Sequence, residues 1–175
     1  PYGGHDALRL PRNKHPRADE VCKHLFVESA RLVLEEVHAQ MDGRLNYVIS
    51  STWREYFDRR QLASVLSRAG LRFVGEGLLE GQRWRTPIKF ARSRRVDEIA
   101  QWLDRHHAGE PFVIVDDTFS GPSLAPALTD PTHPFAGRVV LCQENIGLRA
   151  EHVVPILEAL RRPVQGPAET EEDPT

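Results

Sequence analysis

The chain has 175 residues, 40% of them hydrophobic and 27% charged, which suits one domain with its own apolar core. Its net charge of −2 supplies no global field toward nucleic acid or an anionic membrane, so any such affinity must come from a local patch. No apolar run reaches the length of a membrane span, and Cys22 and Cys142 are spaced for neither a zinc knuckle nor a redox pair, so they read as reduced thiols of a cytoplasmic protein.

Residues 1–22 are rich in Pro, Gly, Arg and Lys with weak periodicity, and read as a loop or small excursion. From about Glu28 to Met41 the residues Ala30, Val33, Leu34, Val37 and Met41 recur at helical spacing, and Asp42-Gly43 closes the helix. Leu45–Ile49 reads as a short strand, followed at its C-terminal end by Ser50-Ser51-Thr52. A second helix is expected over Asp58–Arg68, with Leu62, Val65 and Leu66 inward and Gly70 as its stop. The stretch Leu71–Ser93 shows no clear helix; a short strand at Leu71–Val74 and then a basic loop are expected. Ser93 is the expected N-cap of a helix ending near His107, with Val96, Ile99, Trp102 and Leu103 as its apolar stripe and the His106-His107 pair as its solvated end. Phe112–Val115 is a continuous apolar run, the pattern of a strand buried on both faces, and it ends in Asp116-Asp117. Arg138–Leu141 is the next strand, and a helix over Arg149–Leu160 is expected to break or kink near Pro155. The domain is therefore placed at 1–162 and the acidic remainder, 163–175, is expected to be disordered.

Strands alternating with helices imply an α/β fold with a parallel sheet, whose ligand site lies at the carboxyl ends of the strands. Two strand ends could share such a site: Ser50-Ser51-Thr52 and Asp116-Asp117. Adjacent carboxylates after a buried strand repel, and desolvation aggravates this; a divalent cation such as Mg²⁺ relieves it, held by the acids, waters and substrate phosphate. The competing reading is that one Asp caps the turn Thr118–Gly121 while the other is solvated. The hydroxyls of Ser50, Ser51 and Thr52 can donate to a phosphate oxygen, or equally form an N-capping turn. Between Arg83 and Arg95 the chain carries Arg83, Arg85, Lys89, Arg92, Arg94 and Arg95 without an acid, with Trp84 and Phe90 interleaved. That pattern suits a phosphoryl group or a nucleic-acid strand, and equally a solvated basic loop.

In their order and spacing, Val48–Arg54, Arg95–Leu103 and Val113–Asp117, with Val139–Leu141 and Gly147-Leu148 after them, resemble the haloacid dehalogenase-like (HAD) superfamily. The likeness is nearest to the small HAD domains of Swiss Army Knife RNA repair proteins. It implies a Rossmannoid three-layer sandwich with a mainly parallel sheet and a minimal cap, mapped to residues 1–26. It implies a Mg²⁺-dependent phosphohydrolase for a phosphate monoester, either a phosphorylated small molecule or a nucleic-acid end. The phosphate-binding hydroxyl would be Ser51, with Ser50 as its alternative and Thr52 beside them. The basic residue would be Arg95, with Arg94 or Lys89 as alternatives, and the metal ligands would be Asp116 and Asp117. The pattern also calls for a nucleophilic Asp-x-Asp at the end of a first strand, and neither Asp6 nor Asp19 qualifies. The expectation is therefore that about a dozen residues, one strand and its turn, precede Pro1 in the gene product. The alternative function is a catalytically inactive HAD-like binding or regulatory module.

Overall fold

The computed structural model describes residues 25–81, 83–87 and 94–164. The expected loop or cap at 1–26 therefore lies almost wholly outside the described residues, as do Lys89, Ser93 and the acidic stretch from 165 onward.

Helix α1 spans Glu28–Gln40 and buries Ala30, Val33 and Val37, the stripe its periodicity predicts. Asp42 and Gly43 take positive φ and end it. A single turn, α2, covers Trp53–Tyr56. Helix α3, Arg59–Arg68, starts on Asp58, whose side chain accepts from the Gln61 backbone while Gln61 accepts from the Asp58 N–H. Its inward face is Leu62, Ala63 and Leu66, with Val65 only half-buried.

The expected strand at Leu71–Val74 is a helix instead: α4 covers Arg72–Glu80. Leu71, Val74 and Leu78 do carry a helical spacing, and all three are buried. Gly75 and Gly77 obscure the signal, because glycine lowers helix propensity. Gly75 is there for proximity: a Cβ on it would lie 2.6 Å from the Ala63 carbonyl oxygen of α3 and still closer to the Ser67 hydroxyl. Gly75→Ala should therefore lower the unfolding free energy, measured in urea. The propensity gain of about 1 kcal/mol is outweighed by an overpacking cost of about 1–3 kcal/mol, since a backbone carbonyl cannot swing aside.

Helix α5 spans Arg95–His106 with Arg94, not Ser93, at the N-cap. The Val96 N–H, one of the orphan donors of the first turn, is met by the Ser123 hydroxyl at 3.2 Å. Strand β1 is Ile114–Asp117 and β2 is Val139–Cys142, paired in parallel with Ile114 opposite Val139 and Asp117 opposite Cys142. Each begins later than its apolar run suggests, by two residues and by one. The hydrogen-bonded register, rather than hydrophobicity, sets a strand's ends. Arg138 is thereby left just before β2, buried, its guanidinium donating to the Ala159 and Pro163 carbonyls. A 3₁₀ helix covers Pro122–Leu128 between the strands. After β2 the expected single helix divides into a 3₁₀ turn, Ala150–His152, and α6, Val153–Arg161. Pro155 falls in the first turn of α6, where a missing N–H costs nothing, so the break precedes it.

The residues expected as a strand at Leu45–Ile49 form none; among the described residues their one bridge is the parallel pairing of Ile49 with Arg85, through Trp84 O (2.8 Å) and Thr86 N (3.0 Å). The start of the basic segment is thus extended chain beside Ile49 rather than free loop.

Side-chain alternation along the two strands decides what faces what. Ile114, Val139 and Leu141 point into one cluster with Ile99 of α5, Leu124 and Phe135. Val115, Val140 and Cys142 point the other way, into a cluster with α1 and α6. Helices therefore cover both faces of the strand pair. A third cluster, Leu62, Ala63, Leu66, Leu71, Val74 and Leu78, holds α3 to α4 and takes Tyr47, Ile49 and Trp53 against it. Of the stripe expected on α5, Val96, Ile99 and Leu103 join the core, whereas Trp102 does not. No helix among the described residues is long and apolar enough to cross a membrane.

Candidate active site

The alternation that sends Ile114 toward α5 sends Asp116, two residues on, to the same face. There its Oδ2 lies 3.3 Å from Nε of Arg95, in the first turn of α5. Both side chains are largely buried, at 14% and 10% exposure. Asp116 Oδ1 accepts from the Asp117 N–H at 3.0 Å. Among the described residues its Oδ2 has no hydrogen bond, and neither does Arg95 Nε, so the two face each other as an ion pair at a separation too long for a good hydrogen bond. Burial raises the Asp116 pKa above the ordinary aspartate value, with Arg95 acting in opposition. Gly121 lies against this carboxylate; a Cβ there would come within 3.1 Å of Asp116 Oδ2.

Asp117 points the other way and caps a turn. Its Oδ1 accepts from the backbone N–H groups of Phe119 (2.9 Å) and Ser120 (2.7 Å). The turn-capping alternative is therefore realised for Asp117, while Asp116, expected in that reading to be solvated, is not. Asp117→Asn keeps an acceptor for the turn and should shift stability little, whereas Asp117→Ala should lose about 1–3 kcal/mol, the net worth of two turn hydrogen bonds. Thermal melts of the two variants check the contrast.

From Asp116 an ion-pair chain runs through the fold. Arg95 Nη1 lies 3.6 Å from Oε2 of Glu98, and Arg54 Nη2 donates to the same oxygen at 2.5 Å. Arg54 and Glu98 are buried, with side chains only 2% and 9% exposed. Arg54 Nη1 in turn donates to the carbonyls of Ser50 and Ser51. Desolvation lowers the Arg54 pKa and Glu98 opposes it. The two strand ends singled out in the sequence are thus joined, backbone of Ser50 and Ser51 at one end and Asp116 at the other. Arg54 and Glu98, the links between them, carry no local signal of their pairing, being 44 residues apart.

Ser50, Ser51 and Thr52 are half-buried, and Thr52 sits at the N-cap of α2 without a side-chain capping bond. Of the three basic candidates, Arg95 reaches Asp116. Arg94 is exposed and forked onto Asp97 at 2.9 Å through two nitrogens. Lys89 lies outside the described residues. Arg85 donates to the Arg54 carbonyl at 3.0 Å. Cys142 is buried and unbridged, its pKa raised by burial.

Among the described residues no group of three or more His, Cys, Asp or Glu side chains gathers as a metal site. A buried carboxylate oxygen without a hydrogen-bond partner is nevertheless a donor suited to a hard cation, one that takes its other ligands from water and phosphate. The residues fit Mg²⁺ in that limited sense, with Asp116 as the available ligand.

Parallel strands covered on both faces by helices, with an acid and an arginine meeting at a strand's carboxyl end, define an α/β protein of Rossmann-like type. Residues 7–153 match the HAD domain found in Swiss Army Knife RNA repair proteins, and the chain belongs to that family. Phosphohydrolysis of the HAD type is the activity the family implies in general. No curated protein and no solved structure matches the chain.

Proposed function

We propose that the chain is a Mg²⁺-dependent phosphohydrolase of the cytoplasm that acts on a phosphate monoester, a nucleic-acid end or a nucleotide. The observation that carries this is the buried Asp116 Oδ2, without a hydrogen bond, held beside Arg95 at the end of β1. In this reading residues 1–162 form one domain, with a three-layer sandwich around the sheet, a minimal cap in residues 1–26 and an acidic tail after 163.

Asp116 would hold Mg²⁺, with the charge of Asp117 beside it, since Asp117 Oδ1 is committed to the turn. When bound, the ion neutralises charge on the phosphoryl oxygens. Arg95 places a fixed positive charge next to the phosphate and keeps Asp116 oriented. A hydroxyl of Ser51 or Ser50, with Thr52 beside them, donates to a phosphoryl oxygen, and Lys89 is a further phosphate ligand. Arg54 holds the loop that carries these hydroxyls by its carbonyls. The attacking group is an aspartate carboxylate of the kind the family pattern places on the neighbouring strand: its oxygen bonds to phosphorus as the ester P–O bond breaks and the alcohol leaves, and water then hydrolyses the aspartyl-phosphate to free phosphate and aspartate.

The test is hydrolysis of an aryl phosphate by the full-length gene product, with and without Mg²⁺, in wild type and Asp116→Asn. One observation favours a second reading, a catalytically inactive binding or regulatory module: Arg95 already sets a positive charge 3.3 Å from Asp116. Mg²⁺ binding by calorimetry with no turnover of any phosphate ester would establish that reading instead.

A further inference from the structure

The described residues leave seven buried side-chain polar atoms without a hydrogen bond, and they fall in two places. Three, on Arg54, Arg95 and Asp116, belong to the ion-pair chain. The other four are Thr86 Oγ1, Gln101 Oε1, Trp102 Nε1 and His106 Nδ1, and all four residues line one cavity of about 370 Å³. It lies between the Arg85–Pro87 segment and the second half of α5, with Arg85 and Arg105 also in its wall and no acidic residue in its lining among the described residues. Thr86 is itself only 3% exposed.

Buried polar groups are normally partnered, and four residues that each carry an unmet one border this single cavity, which marks it as a place for a ligand. Their chemistry specifies it. Trp102 Nε1 can only donate; the Thr86 hydroxyl and the His106 ring nitrogen can donate; the two guanidinium groups only donate, and they add charge. Gln101 Oε1 accepts, so the ligand must also offer a hydroxyl or amine hydrogen. The Trp102 ring, with His106 edge-on at 5.4 Å, supplies an apolar wall for a sugar face.

We propose that this cavity is a second binding site, for a hydroxylated phosphate: a sugar-phosphate unit. Gln101 and Arg105 follow Glu98 at three and seven residues, one stripe of α5, so the cavity opens roughly 5–10 Å along the helix from the ion-pair chain. Arg85 ties its rim to the Arg54 backbone. The unit has two possible sources, a free sugar phosphate or an internal unit of a strand whose phosphorylated end lies at Asp116. The second source rests on the phosphohydrolase reading; the cavity's own chemistry does not.

Titration of the full-length chain, followed by calorimetry and by tryptophan fluorescence, tests this with ribose 5-phosphate, ribose, inorganic phosphate, and a short oligoribonucleotide with and without a 3′-phosphate. Ribose 5-phosphate should bind saturably, and about tenfold or more tighter than ribose or inorganic phosphate. Arg105→Ala, a change at an exposed side chain, and Thr86→Val, which keeps shape and removes the hydroxyl, should each weaken it by about tenfold, with melts confirming that both variants fold. An added gain from the 3′-phosphate on the oligonucleotide assigns the strand as source; equal affinities assign the free sugar phosphate. Absence of saturable binding by both ribose 5-phosphate and the oligonucleotides, equal binding of ribose and ribose 5-phosphate, or affinity unmoved in both variants overturns the proposal. A phosphatase that hydrolyses aryl phosphate yet shows one of those results keeps its activity assignment and loses only this site.

Discussion

Glu98→Leu is expected to cost the fold about 3–5 kcal/mol, the range for removing one partner of a buried ion pair. Glu98 Oε2 is 2.5 Å from Arg54 and 3.6 Å from Arg95, and all three side chains are at most 10% exposed. The substitution leaves two guanidinium groups facing each other with little water to screen them. Arg54 retains the Ser50 and Ser51 carbonyls, but these offset only part of its desolvation. Adding Arg54→Met to Glu98→Leu should recover a share of the loss, because an apolar pair of similar volume avoids the desolvation of both charges. Urea unfolding of the two single variants and the double variant measures this as a cycle. A loss below about 1 kcal/mol for Glu98→Leu, the size of an exposed pair, would mean that the pair is hydrated rather than buried.

Asp116→Asn should lower phosphohydrolase turnover by roughly 10²–10³-fold, the effect of removing one preorganised electrostatic group from an active site. Stability should be nearly unaffected, because burial already disfavours the Asp116 charge and Arg95 keeps Glu98 as a second neighbour. The sign with pH follows from the raised pKa. In the window just above the ordinary aspartate value of 3.8 the folded chain holds a proton that the unfolded chain has released. Wild-type stability contributed by this group is therefore present below that window and falls as pH rises through it. The asparagine variant has no such fall, so its stability relative to wild type should increase with pH there. Parallel assays of turnover and of unfolding across that range separate loss of chemistry from loss of fold. Undiminished hydrolysis by Asp116→Asn would remove Asp116 from the reaction.

How much of this was legible beforehand depended on the range of the interaction. Helices α1 and α3, and most of α5, announce themselves because their apolar residues repeat at the helix's own period. The apolar runs ahead of Asp116 and around Val139 mark strands for the same local reason. Helix α4 is hidden in the sequence because the glycines at 75 and 77 lower its propensity, and Gly75 is explained only by the neighbouring α3. Trp102 fits the stripe of α5 by period, yet the fold places it at a cavity wall, because period defines a face and not what covers that face.

The Asp116-Asp117 pair, its position at the end of a buried run, and membership in a recognisable series of motifs are properties of the sequence by itself. The division of labour within the pair was decided by the tertiary structure. Strand alternation turns Asp116 to α5 and Asp117 to the turn at Phe119 and Ser120. That Arg95 rather than Arg94 lies beside Asp116 follows from one step around a helix, about 100° of rotation, which leaves Arg94 in solvent on Asp97. The pairing of Arg54 with Glu98, 44 residues away, exists only once α2 and α5 are packed together. Local sequence encodes which elements form, because periodicity and capping act within a few residues. Partners for buried charge are chosen by packing, because a charge inside a fold is stable only against whatever distant group the chain brings to it.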